Sequence, residues 1–285
     1  MLRCGSQTLD LAQPVVMGVL NVTPDSFSDG GQYRQIDTAV GHGLRMVEEG
    51  AAIIDVGGES TRPGAEPVSV EEEIRRVVPV IERLRARTDA LISVDTSKPQ
   101  VMRAAAEAGA GLINDVRALC EDGALEAAVA TPCAVCVMHM QGDPRSMQLA
   151  PHYGDVVNEV KAFLHERVKV CRAAGIAADR IVIDPGFGFG KTLEHNLQLL
   201  RHLRELRSEP PELDPPIMVG LSRKSIVGRL TGRPSGERVY GSVVLAVLAV
   251  INGARIVRVH DVGATVDALK TVVAVQGDEA CGDVK

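Results

Sequence analysis

The sequence predicts a single-domain α/β protein built as a (β/α)8 barrel. Short runs rich in β-branched residues recur along the chain and alternate with longer segments of helical periodicity. The runs are almost continuously apolar, as expected for central parallel strands that are covered on both faces. The eight predicted strands cover residues 15–21, 53–57, 91–95, 112–116, 134–139, 181–186, 217–222 and 256–260.

The segments between these runs carry helix signals. Ser69 and Glu72 form a capping-box pattern, Pro99 suits a first helical turn, and Gly50 and Gly109 suit helix ends. Alternation of this kind favours a closed barrel over an open doubly wound sheet, whose G-x-G-x-x-G fingerprint is missing after the first strand. The predicted helices cover 37–50, 70–87, 99–109, 155–174, 194–207, 237–252 and 263–275, with a short segment at 122–130.

Composition agrees with one compact unit. The 285 residues are 45% apolar and only 2% aromatic, so the core must be built from aliphatic side chains, which suit buried parallel strands. This length is usual for a (β/α)8 barrel. We expect one domain over 1–285, with the barrel at about 14–276 and a flexible tail at 277–285.

Charge and hydropathy predict the surroundings of the protein. The net charge of −6 argues against a nucleic-acid-binding surface. The first residues contain no apolar run of signal-peptide length, and the longest apolar stretch, 243–251, is too short to cross a membrane. We therefore expect a cytoplasmic protein that binds neither nucleic acid nor membrane.

The six cysteines are expected to be reduced thiols. Cys133 and Cys136 form a C-x-x-C within a predicted strand. An offset of three residues places the two side chains on opposite faces of a strand. Buried core thiols are therefore favoured over a redox or zinc pair.

Polar residues stand at or near the ends of all eight predicted strands. Because active sites of (β/α)8 enzymes lie at the carboxyl ends of the strands, these side chains predict a polar ligand site. Each could instead cap a turn or helix, but their convergence on one rim favours the ligand site. They are Asn21, Asp55, Asp95, Asn114, Asp115, His139, Asp184, Ser222 and His260.

Two loops on this rim have the composition of mobile lids. NVTPDSFSDGG follows the first strand and GGESTRPGAEP follows the second, and both are rich in turn-forming residues. Ordinary surface turns are the alternative. The aromatic Phe27 among polar loop residues makes that alternative less attractive.

A glycine-rich segment, DPGFGFGKT, follows the sixth strand. Its glycines would let a flat ligand approach the backbone, while Phe187 or Phe189 packs on that ligand. The segment resembles a phosphate-binding loop, but Pro185 stands where that pattern requires glycine. We therefore exclude nucleoside-triphosphate binding through this motif.

Cationic residues cluster near the same rim. Arg223 and Lys224 follow the seventh strand, and Arg258 and His260 share one face of the eighth by period two. A buried arginine needs a counter-charge or a ligand. Anion binding is the favoured interpretation, and a salt bridge to an acidic residue such as Glu59 is the alternative.

Taken together, these motifs resemble the dihydropteroate synthase family. NVTPDSFSDGG, GGESTRPGA, SVDTSK, LINDV, VMHM, DPGFGFGK, SRKS and RVHDV stand in the family's order over residues 15 to about 265. The resemblance implies a transferase of folate biosynthesis, targeted by sulfonamides. It would condense 6-hydroxymethyl-7,8-dihydropterin pyrophosphate with p-aminobenzoate, use Mg2+ and form a homodimer, packed through the last helices.

The resemblance also implies roles for individual residues. Those implied in catalysis are Asn21, Asp29, Thr61, Arg62, Lys224, Arg258 and His260. Those implied for pterin are Asp95, Asn114, Met138, Asp184 and Lys224. Those implied for pyrophosphate are Asn21, Thr61, Arg62, Arg258 and His260, with Mg2+ at Asn21. Those implied for p-aminobenzoate are Phe27, Thr61, Pro63, Gly188, Phe189, Lys224 and Ser225.

Three other functions remain open on the sequence. A non-catalytic paralogue would bind pterin without forming product. A methyltetrahydrofolate methyltransferase would share the barrel but has no pyrophosphate to bind, so it leaves the cationic residues unexplained. A phosphate-binding barrel isomerase would fit better with a catalytic Glu at a strand end.

Overall fold

The computed structural model describes residues 1–22, 32–60, 66–142, 147–148, 150–207 and 214–276. The strands of these ranges are β1 Leu2–Cys4, β2 Gln7–Leu9, β3 Val15–Asn21, β4 Ile53–Gly57, β5 Leu91–Asp95, β6 Leu112–Asp115, β7 Ala134–Met138, β8 Ile181–Asp184, β9 Ile217–Val219 and β10 Ala254–Val259. The last eight close into a parallel barrel in the order β10-β3-β4-β5-β6-β7-β8-β9. The predicted fold class is confirmed, and the open doubly wound sheet is excluded.

Helices surround the barrel. They are α1 Gln32–Glu48, α2 Val70–Arg85, α3 Pro99–Glu107, α4 Ala124–Val129, α5 Val156–Ala173, α6 Leu193–Arg201, α7 Ser225–Thr231, α8 Val239–Ile251 and α9 Val262–Gln276. The sequence did not predict α7, because this seven-residue segment is too short to show a clear period.

The capping box predicted at α2 is half formed. The hydroxyl group of Ser69 accepts the backbone N–H of Glu72 at 3.2 Å, as predicted. The side chain of Glu72 does not return the bond; it accepts from Nε of Arg76 at 2.7 Å. The i,i+4 ion pair has therefore replaced the second capping bond.

The N-terminal strands close one end of the barrel. β1 and β2 form an antiparallel hairpin that precedes the barrel. Leu2, Cys4 and Leu11 are buried in a cluster with Met17 and Ile53, which are inward-facing residues of the barrel strands. The sequence did not reveal this hairpin, since each strand has only three residues.

The interior of the barrel changes character along its axis. On neighbouring strands Ile53 pairs with Leu91, Asp55 with Ser93, and Gly57 with Asp95. The interior is therefore apolar towards the amino ends of the strands and polar towards their carboxyl ends, which positions the site.

The C-x-x-C residues, Cys133 directly before β7 and Cys136 within it, are buried on opposite sides of the barrel wall, as predicted. Cys133 is buried in the outer core between strands and helices. Cys136 is buried in the inner core of the barrel. This separation excludes a shared metal ion or a disulfide between the two thiols.

One helix presents an apolar face to the outside. On α8, Tyr240, Val244 and Leu248 follow one another at intervals of one helical turn and are 84%, 56% and 41% exposed. Within the ranges given above, none of the helices has both the length and the apolar character that crossing a membrane requires.

Candidate active site

A guanidinium group spans the interior of the barrel near its carboxyl end. Arg258 donates from Nε to Oδ2 of Asp55 at 2.6 Å and from Nη2 to Oδ2 of Asp95 at 2.7 Å. Although burial disfavours the charge, the two carboxylates raise the pKa of Arg258 above its usual value. The ion pair considered as an alternative to anion binding is thus present, but Glu59 is not its partner. Glu59 instead pairs with Lys98.

Asp55 and Asp95 differ in their surroundings. Asp55 is fully buried, and its Oδ2 also accepts from Nδ2 of Asn114 at 3.0 Å. Burial raises the pKa of Asp95 to about 7, Arg258 opposes this shift and Asp55 adds to it. Asp95 is therefore poised between carboxylate and carboxylic acid near neutral pH.

The neighbouring strands supply a third carboxylate beside an apolar side chain. Met138 of β7 and Asp184 of β8 are partners in the strand register, and both are buried. Oδ1 of Asp184 accepts the N–H of Gly186 at 2.7 Å. Burial raises the pKa of Asp184, and Lys224 opposes the shift. The pair offers a hydrogen-bond acceptor next to a surface on which a flat ring can lie.

Lys224 follows the adjacent strand β9 and stands directly before α7. Its Nζ donates to the carbonyl oxygen of Phe187 at 2.6 Å and lies 4.6 Å from the centre of the Phe189 ring. Burial lowers the pKa of Lys224 to about 8, and Asp184 opposes the shift. The amine is therefore largely protonated at neutral pH and can donate to a ligand acceptor.

The two phenylalanines of the glycine-rich segment have different environments. Phe187 is fully buried in the outer core, so it cannot pack on a ligand. Phe189 is half-buried at the site, and of the two only its ring can take the predicted role. Gly188 is close to the lysine, because a Cβ there would lie 3.4 Å from Cδ of Lys224. Ser225 is exposed at the first residue of α7.

Two glycines leave room between the charged groups. A Cβ at Gly57 would lie 3.6 Å from Cβ of Asp95 and 3.8 Å from Oδ1 of Asn21. A Cβ at Gly220 would lie 3.7 Å from Nζ of Lys224. The amide oxygen of Asn21 therefore faces the same space as Asp95.

The end of β10 is tied to the end of β9. Oγ of Ser222 accepts the backbone N–H of His260 at 3.1 Å and lies 3.1 Å from Nδ1 of the same residue. Nε of Arg223 donates to Oδ2 of Asp261 at 3.0 Å, and Arg223 has a φ of 58°. These bonds fix the backbone between Ser222 and Lys224. The side chain of Arg223 therefore forms an ion pair with Asp261.

Two strand-end groups predicted for the ligand site have other partners within the protein. Asp115 accepts the N–H groups of Arg117 and Leu119 at 2.8 and 2.7 Å, so it stabilises a turn. Nδ1 of His139 lies 2.9 Å from Nζ of Lys191. Burial lowers the pKa of His139 to about 3, and Lys191 adds to the shift.

Part of the predicted site lies outside the described residues. Phe27, Asp29, Thr61, Arg62 and Pro63 belong to this group. The structure places the others at one end of the barrel: Asn21, Asp95, Asn114, Met138, Asp184, Gly188, Phe189, Lys224, Ser225, Arg258 and His260. In the part of the chain that the structure describes, no group of three His, Cys, Asp or Glu side chains could hold a metal ion.

Two residues of the site region were given no role from the sequence. Asp55 was noted only as a strand-end residue, although it supports both Asn114 and Arg258. The period of two in IIDVG places it inside the barrel, so the signal was available. Lys191 offered no such signal, since folding alone brings it to its partners, two carbonyls of the preceding turn and the imidazole of His139.

A buried array of acceptors and donors at the mouth of a (β/α)8 barrel defines an enzyme of the pterin-binding class. The family described as "Pterin binding enzyme" matches residues 17–260. The dihydropteroate synthase of Escherichia coli strain K12 is 54% identical over 267 residues, which are 94% of this chain and 93% of the relative. The chain belongs to the dihydropteroate synthase family.

Solved structures agree with this assignment. A crystal structure of the Yersinia pestis dihydropteroate synthase with a sulfonamide drug is 54% identical, covers 96% of this chain and 98% of its own, and has a TM-score of 0.90. The dihydropteroate synthase of Xanthomonas albilineans in complex with 7,8-dihydropteroate is 53% identical, covers 96% and 98%, and has a TM-score of 0.86.

Proposed function

We infer that this protein is the transferase that condenses 6-hydroxymethyl-7,8-dihydropterin pyrophosphate with p-aminobenzoate, giving 7,8-dihydropteroate and pyrophosphate in folate biosynthesis. The observation that carries this function is the array of the buried Asp95, Asn114 and Asp184 with the half-buried Lys224 at one mouth of the barrel. The Xanthomonas albilineans relative holds the same product.

The array suits the edge of a pterin. Carboxylate oxygens of Asp95 and Asp184 can accept ring and amino N–H groups, and the amide of Asn114 can both donate and accept. The ammonium group of Lys224 can donate to a ring acceptor. Met138 would pack on the face of the ring. Because Asp95, Asn114 and Asp184 are buried, an analogue that leaves one of them unpaired is strongly disfavoured.

Catalysis would act on the leaving group. As the carbon–oxygen bond of the methylene group breaks, its electron pair passes to pyrophosphate, and the growing charge would be stabilised by Arg258 and His260. Arg62 and Thr61, which lie outside the described residues, are proposed for the same role. The amine of p-aminobenzoate then bonds to the methylene carbon and releases a proton.

Mg2+ is the proposed cofactor. Magnesium takes oxygen ligands and is often held by one or two protein groups together with phosphate oxygens and water. The amide oxygen of Asn21, which faces the space beside Gly57, fits this requirement. Bound there, the ion would neutralise charge on the leaving pyrophosphate.

p-Aminobenzoate would lie nearer the mouth, against Phe189, Gly188, Lys224 and the exposed Ser225. Phe27, Asp29, Thr61 and Pro63 are proposed to complete this pocket from the two rim loops. Since the Yersinia pestis relative is solved with a sulfonamide drug, we propose that sulfonamides occupy the same pocket here.

A homodimer is proposed from the face of α8. Tyr240, Val244 and Leu248 form a continuous apolar stripe, and such a stripe is stabilised when a second subunit covers it. The cytoplasm is the proposed compartment, since the five cysteines in the described part of the chain are free thiols.

The test is a product assay. The purified protein, both substrates and Mg2+ should give 7,8-dihydropteroate and an equal amount of pyrophosphate. Omission of p-aminobenzoate is the matched control and should stop product formation. Tight pterin binding without product would identify a non-catalytic pterin-binding protein and refute the proposed function.

A further inference from the structure

A buried lysine lies directly behind the glycine-rich turn of the site. Lys191 ends this turn, residues 185–191, and is 2% exposed. Its Nζ lies 2.9 Å from the carbonyl oxygen of Gly186, 3.0 Å from that of Phe189 and 2.9 Å from Nδ1 of His139. Neither pterin recognition nor leaving-group stabilisation, as derived above, uses this side chain.

The number of close acceptors matches an ammonium group. A protonated lysine has three N–H groups, and three hydrogen-bonding atoms lie within 3.0 Å of Nζ. Two are carbonyl oxygens, and the third, Nδ1 of His139, accepts when the imidazole proton is on Nε2. The carbonyl of His139 is farther at 3.4 Å. Burial lowers the pKa of Lys191 to about 7, Asp184 opposes this shift and Lys224 adds to it. With this tautomer of His139, a neutral amine would leave one of the three acceptors without a donor.

The turn is shaped around these contacts. Gly186 and Gly190 have φ values of 68° and 63°, which favour glycine. A Cβ at Gly186 would overlap the carbonyl oxygen of His139, and one at Gly190 would overlap that of Gln141. The turn is thus pressed onto the backbone that follows β7, with two of its carbonyls directed at the ammonium group.

The same turn carries groups of the site on its other side. The carbonyl of Phe187 accepts from Nζ of Lys224, and the ring of Phe189 lies against that ammonium group. The N–H of Gly188 donates to Oδ1 of Asn196 at 2.7 Å. A change in the turn would therefore displace the partners of Lys224.

We propose that Lys191 is a positioning residue, whose ammonium group holds the turn in the conformation that presents Phe189 and the carbonyl of Phe187 to Lys224. The proposal rests on the proposed function, because it links the turn to p-aminobenzoate binding. If the turn is already ordered in the free protein, less conformational entropy is lost when p-aminobenzoate binds. Loss of the ammonium group should therefore raise KM for p-aminobenzoate and leave kcat nearly unchanged.

Two variants and one control test this role. Lys191→Met removes the charge but keeps an apolar stem, and Lys191→Gln keeps an amide with two N–H groups. Thr192→Ala is the control: it removes the helix cap in which Oγ of Thr192 accepts the N–H of His195 at 3.1 Å, next to the turn but outside it. Hydrogen exchange of residues 185–191 is measured without substrates, and kcat and KM are measured with them.

In Lys191→Met, exchange of the Gly188 and Phe189 amides should accelerate about tenfold, and KM for p-aminobenzoate should rise about tenfold with kcat within about threefold of wild type. Lys191→Gln should be intermediate. Thr192→Ala should leave both quantities at wild-type values.

The two measurements separate the two claims. Failure of the wild-type protein to form product overturns the proposed function, whereas hydrogen exchange still reports on Lys191. Unchanged exchange and KM in folded Lys191→Met overturn the positioning role, and so do equal changes in Thr192→Ala. If Lys191→Met does not fold, Lys191→Gln decides by the same criteria.

Discussion

Nε of Arg258 lies 2.6 Å from Oδ2 of Asp55, and that one oxygen also accepts the amide N–H of Asn114 at 3.0 Å. Asp55 is fully buried one layer below the mouth of the barrel. It therefore orients two groups of the site from beneath. The carboxylate also supplies the negative charge that allows an arginine to stand inside the barrel.

Asp55→Asn should weaken pterin binding by about tenfold or more, since losing one partner of a buried charged hydrogen bond costs about 2–5 kcal/mol. Calorimetry with pterin pyrophosphate measures this change. Asp37→Asn is the control, because Asp37 pairs with Arg83 on the exposed surface, where ion pairs contribute little. Wild-type affinity in a folded Asp55→Asn protein would show that Arg258 and Asn114 keep their positions unaided.

Asp184→Ala should also weaken pterin binding by well over tenfold, because a buried acceptor is lost at a cost of about 2–5 kcal/mol. Asp179→Ala offers a matched control, because Asp179 lies in the short turn just before the same strand and forms an exposed pair with Arg3. Unchanged calorimetric affinity in folded Asp184→Ala would remove this residue from the pterin site.

Pterin binding should depend on pH with a maximum between about 7 and 8. The pKa of Asp95 is about 7 in the free protein, so its acceptor carboxylate is lost as pH falls below that value. The pKa of Lys224 is about 8, so its donor ammonium group is lost as pH rises above that value. Affinity should decline on both sides.

Two variants identify the groups that cause the acidic and the alkaline limbs of this pH profile. Lys224→Arg, which does not titrate in this range, should flatten the alkaline limb. Asp95→Asn should flatten the acidic limb and lower affinity throughout, because the amide replaces a charged acceptor. A profile that keeps both limbs in both variants would place the titrating groups elsewhere, for example at Asp184.

Val244→Glu should convert the proposed dimer to a monomer, because it places a charge in the centre of the apolar stripe of α8. Sedimentation velocity at several concentrations measures the change. Val129→Glu is the control, since Val129 is 38% exposed on α4, which belongs to another part of the barrel wall. A wild-type protein that is monomeric at all concentrations would refute the dimer.

The barrel and the convergence of the strand-end polar groups on one rim followed from local sequence signals. The apolar runs that predicted β3 to β10 differ from the observed strands mainly at their ends, because periodicity is weakest there. Asp184 and Asn114 could be placed at the mouth since a parallel barrel brings all carboxyl ends together.

Other features depend on contacts that no local pattern contains. Arg258 was expected to be near an anion or an acid, but its partner Asp55 is 203 residues away in the chain. Phe187 and Phe189 are two residues apart in one motif, and only folding of the turn separates the buried ring from the half-buried one. The role of Lys191 arises in the same way, from backbone carbonyls whose direction no residue identity reveals.

The hairpin formed by β1 and β2 closes the barrel at the amino ends of its strands. Leu2 and Cys4 of the hairpin, together with Leu11 after it, pack beneath the inward-facing residues of the strands, so the described residues close the polar chamber on that side. A pterin bound at the depth of Asp95 and Asn114 would lie behind any molecule resting against Phe189. The substrates would then bind in order, with the pterin pyrophosphate first and p-aminobenzoate second. An inhibitor bound against Phe189 would prevent a pterin that is already bound from dissociating.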